Sequence, residues 1–191
     1  DVGRLVFLHL VELRFHERIH KRIMQCVISP AYTFTINGGS FGYITGKRGL
    51  RQGDPLSPLL FTIWLEYLSS LLEVIQRSPD FRHHPLCKNL QLNHLCFADN
   101  LILFSQGDLT SVSLLYSAFV NFSSSAELQM NKQKSNFYYN GMAQVTVDLV
   151  SDLTGIKRGS LPFKYLGINI SLKRLSVKDC QGLVDKLTSR I

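Results

Sequence analysis

The chain has 191 residues, 45% of them apolar, which suffices to bury a core in one globular domain or slightly more and excludes disorder as the main state. Lysine and arginine outnumber aspartate and glutamate by 21 to 14, and the net charge of +7 would attract a polyanion, nucleic acid first, though membranes and acidic proteins attract the same charge. Four irregularly spaced cysteines (Cys26, Cys87, Cys96, Cys180) and no apolar leader argue for a reduced intracellular setting, nucleus or cytoplasm, and no unbroken apolar run approaches the roughly 20 residues of a bilayer span, so no membrane partner is expected.

Leu5, Leu8, Val11, Phe15, Ile19, Ile23 and Val27 recur every three or four positions and predict an amphipathic helix over 4–27, ended by Pro30. Strands are expected at 32–36 and 41–44, joined as a hairpin around Asn37-Gly-Gly39. Pro55 and Pro58 suit the first turn of a helix, and helical spacing continues over 59–75. Residues 77–88, with two prolines and two adjacent histidines, read as a connecting loop. Two apolar runs, 92–97 and 101–104, flank Ala98-Asp-Asn100 and predict a hairpin with a polar tip. Beyond it, 109–122 reads as helix, 135–139 and 163–170 as strands, and 176–191 as helix. The order predicts an α+β fold without internal repeats.

Three groups of residues carry candidate chemistry. In Gly49-Leu-Arg-Gln-Gly-Asp-Pro-Leu-Ser-Pro-Leu-Leu-Phe61 the glycines let backbone approach a flat ligand, Arg51 offers a fork of donors, and Gln52 both donates and accepts. The helix N-terminus beyond them favours anions, although an ordinary loop before a proline-started helix uses the same residues. Phe97-Ala-Asp-Asn100 is either a plain Asp-Asn turn or a tip presenting a carboxylate. His83, His84, Cys87, His94 and Cys96 are zinc-type ligands at irregular spacing. Leu92, His94 and Cys96 would share one strand face and Leu95 and Phe97 the other, which favours a structural role.

Taken together, these motifs resemble the reverse transcriptases of LINE-type (non-LTR) retrotransposons. The thirteen-residue run resembles that family's template-and-nucleotide loop, and Phe97-Ala-Asp-Asn100 resembles its aromatic-x-Asp-Asp box. Asn131-Lys-Gln-Lys-Ser135 is similar to the segment that carries a phosphate-facing lysine. Leu161-Pro-Phe-Lys-Tyr-Leu-Gly167 resembles the primer grip as plant elements have it, and the likeness runs from about Phe15 to Ile191. It implies a partial palm domain over 1–170, an antiparallel sheet with packed helices, followed by a helical segment over 171–191. Arg51, Gln52, Gly53 and Phe97 would face nucleotide or template, Asp99 would bind magnesium (Mg2+), and Lys134 would approach phosphate. Tyr165, Leu166 and Gly167 would meet the primer end. The implied partners are an RNA template, a DNA primer and a deoxynucleoside triphosphate (dNTP); oligomeric state has no signal in the sequence.

The chain also departs from the family's pattern. Asn100 stands where the second aspartate of the box belongs, and Glu127 stands where a glycine is usual. Asp1 matches a later, non-catalytic aspartate, so the first metal-binding aspartate is expected upstream of residue 1 and the fingers are missing. Two-metal phosphoryl transfer needs hard anionic oxygens to hold cations about 3.5–4 Å apart, and a neutral amide replaces one poorly. An impaired polymerase with weak or absent magnesium binding is therefore expected. Loss of the neighbouring strand would bare a sheet edge and leave marginal stability. Three classes stay open: an RNA-directed DNA polymerase, a non-catalytic RNA or primer-template binding remnant, and a translated relic without a selected role.

Overall fold

Leu60, Trp64, Leu68 and Leu72, spaced one helical turn apart, form the stripe on which the first half of the chain is built. The computed structural model describes residues 16–28, 31–45, 53–126 and 128–171 and isolated positions at 181, 182, 184, 185 and 188. The chain divides into two compact units, 1–130 and 131–191, and each is described by itself.

In the first unit, α1 (Glu17–Ile28) is followed by β1 (Ala31–Ile36) and β2 (Gly39–Thr45). Residues 4–15 of the predicted first helix lie outside the described set. Next come α2 (Ser57–Gln76), a 3-10 turn at Lys88–Leu90, β3 (His94–Phe97), β4 (Asn100–Leu103) and α3 (Leu109–Ala126). The α2 stripe meets Leu115, Ala118 and Phe122 of α3, which are three and four residues apart, together with Phe81 from the connecting loop. Ile23 and Met24 of α1 cover part of this core. By length and composition α2 could cross a membrane; within this unit its Trp64, Leu68 and Leu72 are buried in the cluster shared with α3.

Two side chains fix the loops around this core. Asp108 accepts from the Ser111 backbone N–H at 2.9 Å and caps α3, while the Ser111 hydroxyl accepts from the Arg82 N–H, also at 2.9 Å. The β1–β2 hairpin turns on Asn37 (φ 50°) and Gly38 (φ 82°), the left-handed pair that a two-residue turn needs. Its ladder pairs Tyr32 with Ile44, Phe34 with Phe41 and Ile36 with Gly39, and one extra residue falls between the first two pairs, where Gly42 has φ 71°. Tyr32, Phe34, Ile36, Phe41 and Ile44 thus share one face, and each is 41–58% exposed.

The second unit begins with β5 (Asn136–Phe137), crosses over through α4 (Gln144–Thr154) and returns in β6 (Lys157–Arg158), parallel to β5. An antiparallel hairpin, β7 (Phe163–Tyr165) and β8 (Ile168–Ile170), follows. Val147, Val150 and Thr154 form the buried face of α4, and Gly155 in the left-handed conformation (φ 64°) ends it, its N–H donating to Ser151 O at 2.8 Å. The described positions between 181 and 188 are helical, as predicted for 176–191.

The mixture of helix and strand matches the expected class, with corrections in detail. Strand 135–139 is realised only at 136–137. The run 163–170 is a hairpin, because Leu166 (φ 53°) and Gly167 (φ 85°) reverse the chain in its middle. Against the antiparallel sheet expected, three of the described ladders are antiparallel and the β5–β6 ladder is parallel. Helix α4 is an addition to the elements read from the sequence.

Candidate functional site

The predicted tip at Ala98-Asp-Asn100 is tighter than its sequence suggests. Phe97 pairs directly with Asn100, so only Ala98 and Asp99 form the turn and Asn100 is the first residue of β4. Ala98 takes a positive φ of 49°, and Phe97, Ala98, Asp99 and Asn100 are all exposed. The Asn100 side-chain amide donates to Asp99 Oδ1 at 3.2 Å, so part of the carboxylate's accepting capacity is used by its neighbour.

The base of the hairpin is tied to α2. Asn93, 2% exposed, donates from Nδ2 to Leu72 O at 2.8 Å. That leaves Asn93 Oδ1 to accept from His94 Nδ1–H at 2.7 Å, and His94 Nε2 lies 3.0 Å from the Ser69 hydroxyl. Burial pushes the His94 imidazole below its ordinary value, against a smaller upward pull from Glu73 and Glu66. His94 and Cys96 are the partly covered residues of β3, and Leu95 and Phe97 point outward, in the alternation read from the sequence. Burial raises the Cys96 and Cys87 thiols, which keeps them protonated and weakens them as zinc ligands.

The other predicted residues are presented on turns. Gly53 is exposed with φ 84° just before α2, while Arg51 and Gln52 lie outside the described residues. Asp54 Oδ1 accepts from the Leu56 N–H at 2.8 Å and leads the chain into the helix. In the second unit the Asn131 side chain accepts from the Gln133 and Lys134 N–H groups at 3.1 and 3.2 Å, which shapes the turn that exposes Lys134. Tyr165 closes β7, and Leu166 and Gly167 form its two-residue turn. Phe97, Asp99 and Asn100 are therefore together on one hairpin, and Tyr165, Leu166 and Gly167 on another.

Sequence reading gave no hint of one side-chain assembly in the second unit. The Arg158 guanidinium carbon lies 4.7 Å from the centroid of the Tyr139 ring, and Tyr139 stacks on Phe137 at 6.0 Å. Tyr138 stacks on Phe163 at 4.1 Å. The available signal was two adjacent tyrosines and a Lys-Arg pair, a weak pattern until β5 and β6 bring them together.

Among the described residues no group of three or more His, Cys, Asp or Glu side chains gathers to hold a metal ion. At the hairpin tip a single carboxylate stands beside an amide. This donor set does not fit a pair of magnesium ions, which prefer several hard oxygen ligands.

Mixed helix and strand, with Phe97 and Asp99 at the tip of one hairpin, is consistent with a palm-type polymerase fold. The family model described as reverse transcriptase (RNA-dependent DNA polymerase) matches residues 9–170, and the chain belongs to that family. It is 46% identical over 68 residues to an uncharacterised mitochondrial protein of Arabidopsis thaliana, covering 35% of this chain and 56% of that protein. It is 39% identical over 83 residues to a retrovirus-related Pol polyprotein from the type-1 retrotransposable element R2 of Popillia japonica, covering 43% of this chain and 13% of that one. The chain thus matches about half of one relative and a small part of the other, and the second, a retrotransposable-element polyprotein, agrees with the LINE-type resemblance.

Proposed function

We propose that this reverse transcriptase domain retains a surface for RNA template and primer but is impaired in phosphoryl transfer. The observation that carries this reading is the Asp99-Asn100 pair: at the tip where the family's box has two carboxylates, one anion stands beside an amide that donates to it. Opposing charge is what keeps two doubly charged cations close together, and a neutral side chain halves it. In this reading residues 1–170 are a partial palm of LINE type and 171–191 a following helical segment. Arg51, Gln52, Gly53 and Phe97 face template or dNTP, Lys134 approaches phosphate, and Tyr165, Leu166 and Gly167 meet the primer end. The setting is intracellular. The family match and the net charge of +7 support the nucleic-acid part.

Primer extension on an RNA template, with magnesium and then manganese, tests the chemical part. The expected result is no product beyond that of Asp99→Ala; extension that disappears in Asp99→Ala would overturn the impairment. Binding of a primer-template duplex across a salt series tests the other part. Phosphate contacts make log K fall linearly with log salt, and a flat response would leave only the relic reading.

A further inference from the structure

We propose that Arg158 and Tyr139 form a stacking platform for an unpaired base of single-stranded nucleic acid, with the Arg158 N–H groups contacting the adjoining phosphate. This deepens the nucleic-acid reading above and rests on it, but it uses residues outside every motif that suggested the family.

The geometry starts from the parallel register. Phe137 pairs with Arg158, and paired residues of parallel strands project to the same side. The contacts agree: Phe137 and Tyr139 stack with 29° between their planes, and Arg158 lies over Tyr139. On the other side Tyr138 stacks on Phe163 with 12° between planes, and a side chain at Gly159 would collide with the Tyr138 ring. The platform is thus held from beneath by aromatic packing, while Arg158 itself is exposed.

Charge selects the ligand. Across 131–171, Lys132, Lys134, Lys157, Arg158 and Lys164 stand against Asp148 and Asp152, and all five basic residues are exposed. The ion pairs among the described residues are Lys21–Glu17 and Arg77–Glu73, so the exposed Arg158 guanidinium keeps its donors for a phosphate. A guanidinium plane backed by tyrosine can stack on any base, since every base has a π-face, and it contacts phosphate through its edge. A simple polyanion would need only the lysines. The planar pair adds something when the ligand carries both phosphate and an unstacked ring.

The test uses the 191-residue chain with 20-mer oligo-dT and oligo-rU, each carrying one 2-aminopurine, whose fluorescence falls when it stacks. Arg158→Ala and Tyr139→Leu should each weaken binding about tenfold and restore much of the fluorescence. The double variant should add little, because the two side chains act as one unit. Arg158→Ala should also reduce the log–log salt slope by about 0.7. Tyr139→Phe should bind as the unaltered chain does, and Arg158→Lys, which keeps charge but not the plane, should recover the salt slope but not the quenching. Circular dichroism of each variant separates local loss from unfolding, and the two conservative variants decide the matter if either truncation unfolds. Unchanged affinity and quenching in folded Arg158→Ala and Tyr139→Leu, or full recovery by Arg158→Lys, would overturn the platform alone. Failure of the unaltered chain to bind either oligonucleotide at low salt would remove the nucleic-acid reading together with it. The dT and rU series report whether DNA or RNA is preferred.

Discussion

His94 shows what one side chain contributes at the junction of hairpin and helix. The ring donates from Nδ1 to Asn93 Oδ1, and its Nε2 lies 3.0 Å from the Ser69 hydroxyl, which itself donates to Leu65 O, so β3 is tied to α2 through this side chain. Desolvation is the largest influence on its titration and lowers it, with Glu73 and Glu66 pulling the other way. The folded value therefore lies below the unfolded one, near 6.5, and the unfolded chain takes up more protons as pH falls through that region. The stabilisation is complete above the unfolded value and is lost progressively on acidification towards the folded one. Urea unfolding should have a lower midpoint at pH 5.5 than at 7.5, and His94→Gln should narrow that difference. A midpoint that rises on acidification, or one unaffected by the substitution, would contradict this assignment.

At the scale of elements, the core belongs to the α2 stripe. Leu72 is fully buried and Val74, two residues on, is 68% exposed on the opposite side. Truncation to alanine should cost about 2–5 kcal/mol at Leu72 and within about 0.5 kcal/mol at Val74, read as shifts in denaturation midpoint. Similar losses at the two positions would mean that α2 packs on another face. This helix was legible because its apolar residues repeat at four-residue spacing after a proline that suits a first turn. Asn37-Gly38 announced its hairpin as plainly, since both residues tolerate positive φ. Helix α4 was hidden by Val145, Thr146, Val147 and Val150, β-branched residues whose local preference opposes the helix that buries Val147 and Val150. The β7–β8 turn was hidden because leucine is a poor occupant of a left-handed turn position, and Leu166 takes it nonetheless. Within the candidate site, chain order and motif revealed Phe97, Asp99 and Asn100. The partnership of Arg158 with Tyr139 depends on a parallel register that no local pattern encodes.

For the molecule as a whole, the notable surface is the apolar face of the β1–β2 hairpin. Tyr32, Phe34, Ile36, Phe41 and Ile44 lie together, all exposed, on a two-stranded ladder. Clustered apolar area of this kind promotes self-association, which a net charge of +7 opposes only at low ionic strength. Light scattering should show association that grows with added salt, and Phe34→Thr with Phe41→Thr should suppress it while leaving the thermal midpoint nearly unchanged. A scattering signal indifferent to these substitutions would place the sticky surface elsewhere.

The same hairpin owes its sidedness to a matter of odd and even. Counting outward from the turn, Ile36, Phe34 and Tyr32 occupy alternate rungs, and if the same residues paired without a bulge the side chain facing Tyr32 would be Tyr43. The bulge takes up one residue of β2 without giving it a partner, and that is what sets Ile44 rather than Tyr43 on the aromatic side. Deleting Gly42 would therefore leave the Asn37-Gly38 turn intact and keep Ile44 opposite Tyr32 in a regular ladder, whereas closing the bulge with Gly42 still present would turn Tyr43 towards Tyr32 and Ile44 away.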